Sequence, residues 1–396
     1  MPSQTPEAVI EAQRQDWNRV AAGWDKWDQF FNRNMAFINH RLVADARVRP
    51  GLRVLDLGSG TGYPALLAGE VVGSDGTVIG IDLAESMLAV AARKAKTLGL
   101  QQVTFRTGDV TSLPLETGSV DAVISRFCLM FLPEIPKAAA EIARVLKPGG
   151  YVAAAVWSAP DRNPFIRIPM DVIKTITPLP PPDPEAPGIF RLAKPGDLAG
   201  MFERAGLTPL ADEEFTAEVS YATGEEFFCG LMDVAAPIQN LFTKLTKKQQ
   251  AEAEQGIIKT VNEYRGPQGV SLPIAVRIVS ARKPQEPSHG SIRTIHCPPA
   301  LRDRRAGNEP APSPLPFPST LSSSLWPALP RPLFCPSPVP SPLSYRSPST
   351  LPSSPLFHPS FLRDRPSAPP CPFRSLPWFP PPRRRTTIPS TDRTPR

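Results

Sequence analysis

The residues with the clearest chemical potential lie in one short stretch, positions 52–62, which reads L-R-V-L-D-L-G-S-G-T-G. Its first half is mostly apolar, a pattern typical of a strand that is buried on both faces. Gly58, Gly60 and Gly62 then permit positive φ angles and close approach, so backbone N–H groups can face a ligand there. Asp56 precedes this turn, and its carboxylate would repel a pyrophosphate but attract a ligand that carries ammonium and sulfonium cations.

The turn has the spacing G-x-G-x-G and not G-x-G-x-x-G, the fingerprint of dinucleotide-binding folds. This spacing and the acidic Asp56 disfavour an NAD-dependent oxidoreductase. For the stretch taken alone, a tight turn in some other α/β protein is the alternative interpretation.

The elements around this turn alternate between strands and helices, and five strands occupy about 110 residues, which predicts right-handed βαβ units and a parallel sheet. Two more strands follow, so we predict a Rossmann-like α/β fold with seven mostly parallel strands, helices on both faces and a helical cover. The predicted strands span 52–57, 76–82, 103–106, 120–125, 151–157, 209–221 and 272–281. The predicted helices span 7–27, 30–46, 64–72, 84–96, 135–146, 165–177, 194–205, 225–234 and 246–264.

Acidic residues follow the second and third predicted strands, where a parallel sheet places them at one edge. Asp82 ends the second strand, and a carboxylate there can accept hydrogen bonds from both hydroxyls of an adenosine ribose. The alternative is an N-cap of the next helix, a role open to Asp82 or Ser86. Asp109 can accept from the exocyclic amine of an adenine, with an adjacent backbone N–H near a ring nitrogen, or it is an ordinary turn aspartate.

The motifs D-L-G-S-G-T-G, G-I-D, G-D-V, S-V-D-A-V and L-K-P-G-G occur in this order. Together they resemble the class I S-adenosylmethionine (SAM)-dependent methyltransferases, in particular the ubiquinone/menaquinone-biosynthesis type and its relatives that act on small molecules. The resemblance spans residues 16–284 and is strongest over 50–158. It implies SAM as the cofactor, with Asp56, Gly58, Gly60 and Gly62 at the methionine end. It further implies Asp82 on the ribose, Asp109 and Val110 at the adenine, and Ser125 and Arg126 facing the sulfonium. Further candidates for cofactor binding are Ser59, Leu83 and Met87.

Methyl transfer to an oxygen or an enol-type carbon also requires the loss of a proton from the acceptor. His40 is either an ordinary helix residue or a pocket base, because histidine accepts protons near neutral pH. Arg126, as a charge stabiliser, and Tyr63 are the other catalytic candidates. Many relatives carry glycine where this chain has Cys128, and we interpret its thiol as a small buried filler and not as a nucleophile.

Aromatic residues cluster near the N-terminus in W-N-R-V-A-A-G-W-D-K-W, at positions 17–27. These tryptophans either pack an N-terminal helix onto the sheet, or Trp24 or Trp27 covers the ligand pocket. The insertion at 158–240 is expected to cover the acceptor site. Its candidate lining residues, each of which is otherwise a core residue, are Phe190, Met201, Phe227, Phe228 and Met232.

The last part of the chain differs in composition from the rest. Residues 285–396 hold 29 of the 52 prolines, 14 arginines and 5 acidic residues, so the formal charge of +7 arises there; the preceding residues carry 30 basic and 32 acidic side chains. This charge gives no argument for a nucleic-acid-binding core. We expect a disordered tail that binds proline-recognising domains or acidic partners, or that is a functionless extension.

The sequence shows no secretory signal, no run of 18 apolar residues and no cluster of metal ligands, so we expect a cytoplasmic protein without a metal or a transmembrane helix. The predicted domains are a helical cap at 1–48, a SAM-dependent methyltransferase domain at 49–284 and the tail. The predicted function is methyl transfer from SAM to a small molecule such as a quinol, phenol or lipid. A non-catalytic regulator that binds SAM or a nucleotide is the alternative.

Overall fold

The computed structural model describes residues 5–179, 183 and 186–285. This part of the chain contains ten α-helices, eight strands and two short 3-10 helices at Leu129–Phe131 and Pro160–Arg162. The helices are α1 (Pro6–Lys26), α2 (Asp28–Asp45), α3 (Ala65–Val72), α4 (Glu85–Thr97), α5 (Ile135–Val145), α6 (Pro164–Ile176), α7 (Asp197–Arg204), α8 (Gly224–Val234), α9 (Ala236–Phe242) and α10 (Lys247–Asn262). The strands are β1 (Arg53–Leu57), β2 (Thr77–Asp82), β3 (Val103–Thr107), β4 (Val120–Arg126), β5 (Leu146–Trp157), β6 (Thr208–Tyr221), β7 (Arg265–Gly266) and β8 (Gly269–Arg282). The predicted tail beyond residue 285 lies outside the described residues.

The strands form one mixed sheet in the order β3-β2-β1-β4-β5-β8-β6, and β7 pairs with β8. Neighbours among the first five strands run parallel, whereas β8 runs antiparallel to both β5 and β6. This topology confirms the predicted Rossmann-like α/β class. The strand order reverses between β1 and β4, and in such sheets ligands bind in the crevice outside the carboxyl ends of the strands at that point.

The central strands are apolar because helices cover them and leave no face for water. In β1, Val54, Leu55 and Leu57 are completely buried. The helices α3 and α4 pack against β1, β2 and β3, while α2 packs against β4 and β5. The core that results holds the carboxyl ends of β1, β2 and β4 in register, since Leu57 pairs with both Ile81 and Ser125.

The N-terminal helix α1 packs against α4, α8 and α9. Its first turn is capped by Thr5, whose side chain accepts a hydrogen bond from the amide of Ala8. At its other end, Trp27 is buried and its indole N–H donates to Asp233 at 2.7 Å. Trp27 therefore packs the N-terminal helices against α8, which is the first of the two interpretations considered for the tryptophans.

Three local features depart from the predicted elements. The strand β5 begins at Leu146, because Leu146 pairs with Val120 before a register shift, so K-P-G-G lies inside this strand and not between the predicted helix 135–146 and the predicted strand 151–157. The short helix α9, with a proline in its first turn, and the two-residue strand β7 are absent from the prediction. In the predicted loop after α6, residues 180–182, 184 and 185 lie outside the described part. None of the described helices is long and apolar enough to cross a bilayer.

Candidate functional site

A cavity of about 290 Å³ lies at the carboxyl edge of the sheet, where β2, β3 and β4 end. Asp82, the last residue of β2, and Asp109, which follows β3, both line it. Residues of α1, α2, α6, α8 and α9 complete the wall. The structure therefore brings the two predicted adenosine carboxylates into one cleft.

The glycine turn after β1 contributes two of its three glycines to this cavity. Gly58 and Gly60 line it with φ angles of +68° and +51°, which L side chains rarely adopt. Gly62 was expected to line the methionine end, but it does not line the cavity. A Cβ at Gly62 would meet Leu66 of α3 and Ala91 of α4, so a glycine is needed for the turn to lie this close to both helices.

Asp56 was also expected to line the cavity, and the structure corrects this expectation. Its carboxyl is completely buried under the turn, where it accepts from Ser59 Oγ at 2.7 Å and from the amide of Ala65 at 3.2 Å. The other oxygen, Oδ1, has no hydrogen-bond partner among the described residues. Burial raises the pKa of Asp56 to about 7. Asp56 thus shapes the turn from beneath, while Ser59 lines the cavity.

Asp82 lies in the cavity wall and also organises the backbone around it. One oxygen accepts from the amide of Gly60 at 2.8 Å and the other from the amide of Ala84 at 2.9 Å. The N-cap residue of α4 is Ala84 and has no side-chain cap, so Asp82 supports the start of this helix without being its N-cap. Leu83 and Met87 line the same part of the cavity.

Asp109 and Val110 both line the cavity, beside Gly108. The two carboxylate oxygens of Asp109 accept from the amide and the hydroxyl of Thr111, at 2.8 and 2.7 Å. Asp109 therefore closes a local turn, and each oxygen keeps a lone pair that a ligand donor can use.

At the end of β4, the two predicted residues take different positions. Ser125 is buried behind the wall and donates to the carbonyl of Leu57 at 2.9 Å, so the expectation that it faces the ligand is wrong. Arg126 does line the cavity, and its Nη1 donates to Oδ1 of Asn39 at 2.8 Å. Burial lowers the pKa of Arg126.

His40 was considered as a pocket base, but the structure places it away from the cavity. His40 is exposed on α2 and does not line the cavity. Its neighbour Asn39 is buried and holds Arg126. The buried positions Phe31 and Met35 precede Asn39 at four-residue spacing, so the helical period already distinguishes Asn39 from His40.

Phe127 and Cys128 follow Arg126 in an unusual backbone path. Phe127 has a φ of +56° and stacks on Trp157 with ring centroids 4.2 Å apart. Cys128 lines the cavity against the glycine turn, and a Cβ added at Gly58 would lie 2.4 Å from its Cβ. Burial raises the pKa of Cys128, which fits a packing residue and not a thiolate nucleophile.

The part of the cavity beyond Arg126 is apolar and largely aromatic. Among the candidates from the 158–240 insertion, Phe227 lines it, whereas Phe190, Met201, Phe228 and Met232 do not. Trp24 lines it as well, in agreement with the covering role weighed for this residue. Further aromatic residues of the cavity wall were not predicted from the sequence, and these are Trp17, Phe31, Phe127, Phe131, Trp157, Phe165 and Tyr221.

Comparisons with known proteins show which proteins this chain is similar to. A sequence profile described as "Methyltransferase domain" matches residues 55–154. The demethylmenaquinone methyltransferase of Bacillus cytotoxicus is 36% identical over 182 residues, which cover 44% of this chain and 77% of that protein. The nocamycin O-methyltransferase of Saccharothrix syringae is 37% identical over 136 residues, which cover 34% of this chain and 48% of that protein. Among solved structures, the YcgJ protein of Bacillus subtilis aligns with a TM-score of 0.44 at 20% identity, covering 63% of this chain and all of that chain.

The strand order and the glycine turn after β1 define a Rossmann-like α/β protein. The chain belongs to the SAM-dependent methyltransferases, in the family that includes the demethylmenaquinone methyltransferases. It is an enzyme, and its cofactor is SAM.

Proposed function

We propose that this enzyme transfers the methyl group of SAM to a small molecule with a largely apolar body, by in-line displacement. The observation that carries the proposal is that one cavity is lined both by Asp82 and Asp109, at the carboxyl ends of β2 and β3, and by the aromatic group of Trp157, Phe165 and Phe227. When bound, SAM supplies an electrophilic methyl group on a sulfonium. The chain must align this group with the acceptor and exclude water.

At the polar end, the residues present fit an adenosine with a methionine tail. Asp82 at the end of β2 would accept the ribose hydroxyls, and Asp109 with Val110 would hold the adenine. Gly58, Ser59 and Gly60 would face the methionine, and Leu83 and Met87 would form the wall. In support, no described residue lies within 4 Å of the place that a Cβ would take at Gly60, so a ligand can approach the backbone there, and the acids retain acceptor capacity.

At the aromatic end, the wall favours an acceptor with an apolar or aromatic body. Phe165 and Phe227 pack edge to face, 5.8 Å between ring centroids, and Tyr221 stacks on the same group. Such rings bury large apolar areas and stack on planar ligands. Relatives named demethylmenaquinone methyltransferase and nocamycin O-methyltransferase also support a small organic acceptor, for which quinols, phenols and lipids are the candidates.

The helix α1 would close the cavity over the donor end. Gln13 on α1 donates to the carbonyl of Phe131 at 2.7 Å, and Trp17 meets the Phe131 ring edge to face at 5.6 Å. Both α1 residues line the cavity. This contact shields the site from water at the place where the methyl group must move.

The function is tested by incubating the full chain with SAM and a panel of quinols, phenols and lipids, and by measuring S-adenosylhomocysteine (SAH) and methylated product. We expect SAH to form in an acceptor-dependent manner. If the chain binds SAM but no member of the panel increases SAH formation, the proposed acceptor class is wrong.

The ribose role of Asp82 gives a prediction about binding. Replacing Asp82 with alanine removes a charged acceptor, so the affinity for SAH should fall by about 1–3 kcal/mol. Calorimetry on the purified variant measures this. Asp75→Asn is the matched control, because Asp75 is an exposed carboxylate in the turn before β2 and does not line the cavity. Unchanged affinity in Asp82→Ala would contradict the ribose assignment.

A further inference from the structure

The guanidinium of Arg126 stands where the donor and acceptor parts of the cavity meet. In the sheet, Arg126 pairs with Ala155 of β5 and directly follows Ser125, which pairs with Leu57 just before the glycine turn. Asn39 holds it from α2. On the far side, Phe127 and Trp157 begin the aromatic wall. A methyl group that passes from a donor at the glycine turn to an acceptor at this wall passes beside Arg126.

Among residues 5–179, 183 and 186–285, this guanidinium forms no ion pair within 4 Å, and the hydrogen bond that it donates goes to the neutral amide of Asn39. Two carboxylates act on it electrostatically, Asp56 and Asp28. Asp28 is paired with Lys94, and Asp56 accepts from Ser59 and Ala65 beneath the turn. A cation that is partly withdrawn from water without a paired anion is costly, so this position favours a ligand that brings a negative charge.

The groups that could remove a proton from an acceptor are the titratable residues of the described cavity wall. Besides Asp82 and Asp109 these are Tyr63, Cys128 and Tyr221, and burial raises the pKa of all three. Asp82 and Asp109 lie at the adenosine end and accept backbone donors there. From the neighbouring elements, Asp56 and the exposed His40 do not line the cavity, Asp28 pairs with Lys94, and Glu226 accepts from the amide of Ala222.

From these two observations we propose that the acceptor is an acidic hydroxyl compound, such as a phenol, an enol or a carboxylic acid, that binds already ionised with its oxygen anion against Arg126. This inference rests on the proposed function and narrows its acceptor class. An oxygen lone pair forms the new O–CH₃ bond while the C–S bond breaks and its electron pair passes to sulfur. An oxyanion and a sulfonium give a neutral methyl ether or ester and the thioether of SAH, so no proton has to be removed inside the cavity.

The first experiment varies the acidity of the acceptor. The full chain is assayed with phenols that range from para-nitrophenol, which ionises near neutral pH, to unsubstituted phenol, which ionises near pH 10 as tyrosine does. We expect kcat/KM to rise with pH up to the ionisation of each phenol, with an inflection that moves with the acceptor. An inflection fixed at one pH for all phenols would show that a protein group removes the proton, which overturns the proposal. Equally fast methylation of a neutral amine of similar size would overturn it as well.

The second experiment replaces the guanidinium. Arg126→Met keeps most of the side-chain volume and should lower kcat/KM for an ionised phenol at least tenfold through a higher KM, while Arg126→Lys should restore part of the loss. The matched control is Arg106→Met at the end of β3, an exposed arginine that does not line the cavity, which should leave kcat/KM unchanged. Melting curves with SAH confirm that each variant is folded.

A third measurement distinguishes the acceptor's anion from the carboxylate of the donor. SAH carries that carboxylate and 5′-methylthioadenosine lacks it, so Arg126→Met should bind both with the affinity of the unaltered chain. If the variant loses affinity for SAH alone, Arg126 holds the donor and the proposal is wrong. If the proposed function itself is wrong, the result is different, because the unaltered chain then methylates none of the acceptors.

Discussion

Asp56 carries a carboxyl group that the fold removes completely from water, at the point where β1 enters the glycine turn. Two donors bond to one of its oxygens, and the other oxygen has no partner among the described residues. The penalty of burial exceeds the gain from these hydrogen bonds, so the pKa rises from an ordinary 3.8 to about 7. The folded chain therefore retains a proton that the unfolded chain has already lost between these two pH values.

This difference predicts a pH dependence of stability. The folded form binds the proton of Asp56 more tightly than the unfolded form does. The stabilisation that this proton gives the fold is therefore fully present below about pH 4 and is lost as the pH rises to about 7. In Asp56→Asn the side chain no longer titrates. The difference in unfolding free energy, variant minus unaltered chain, should therefore grow by about 2–3 kcal/mol between pH 5 and pH 7. Urea unfolding at several pH values measures it.

Asp121 provides the control for this experiment. It accepts from the amide of Arg53 and from Lys147 near the other end of the sheet, and it remains partly exposed. Asp121→Asn measures how much stability is lost when a partly exposed carboxylate with two donors is replaced by an amide, and the Asp56→Asn result is compared with it at each pH. Parallel pH profiles of the Asp56→Asn variant and the unaltered chain would show that the carboxyl is ionised in the fold.

At the residue scale, motif spacing predicted the positions of Asp82, Asp109 and Gly60 in the cavity wall but not which neighbours turn away from it. Successive side chains of a strand point to opposite faces, so Ser125 lies behind the wall although Arg126 lies in it. Asp56 shows the same limit, because its motif specifies the residue type and not the direction of the carboxyl.

The helix α1 is the element that distinguishes an open crevice from an enclosed site. It contributes Gln13, Trp17 and Trp24 to the cavity, and exposed polar contacts hold it to α4, such as the pair of Arg14 and Glu85 at 2.7 Å. Exposed pairs of this kind contribute little stability. The closer contact is with α8, where Asp233 accepts from both Lys26 and Trp27.

Gly23 tests this contact between α1 and α8. A Cβ at Gly23 would lie 2.0 Å from the carbonyl oxygen of Asp233, so alanine must push the two helices apart. Helix propensity alone favours alanine by about 1 kcal/mol. We expect the opposite for Gly23→Ala, in which the free energy of unfolding should fall by about 1–3 kcal/mol, as is typical of overpacking. The variant should also bind SAH more weakly. Thermal melts and calorimetry give the two readouts.

The neighbouring position separates the contact from general helix stability. Ala22 is exposed, so Ala22→Gly should destabilise α1 by about 1 kcal/mol through propensity while leaving the α8 contact intact. SAH affinity should then be close to that of the unaltered chain. If Gly23→Ala proves more stable than the unaltered chain, α1 does not approach α8 as closely as described.

At the element scale, apolar runs and turn residues predicted every long strand and helix of the described part, since each carries a strong periodic signal. The elements that were not predicted are short or depend on a pairing partner elsewhere in the chain. The strand β7 has two residues and is defined by its pairing with β8, and K-P-G-G continues β5 because Leu146 finds a partner in Val120. No local pattern reports such a partner.

At the scale of the molecule, β8 joins the parallel half of the sheet to β6. It pairs with β5 from Tyr151 to Trp157 and with β6 along nearly its whole length. Just after β8, Lys283 donates to the carbonyls of Ala143 and Leu146 and exchanges backbone hydrogen bonds with Gly149 and Gly150. We propose that these contacts mark the end of the methyltransferase domain near residue 284.

A chain shortened after residue 285 should therefore melt at the temperature of the full chain and bind SAH with the same affinity, because the residues that line the described cavity lie between Gln13 and Ile238. A chain shortened after residue 275 is the control. It loses the buried side chains of Val276, Ile278 and Val279, each worth about 1.5–3 kcal/mol, and should not fold, since net stabilities are about 5–15 kcal/mol. If the longer form also melts early or fails to bind SAH, residues beyond 285 contribute to the enzyme domain and the proposed boundary is wrong.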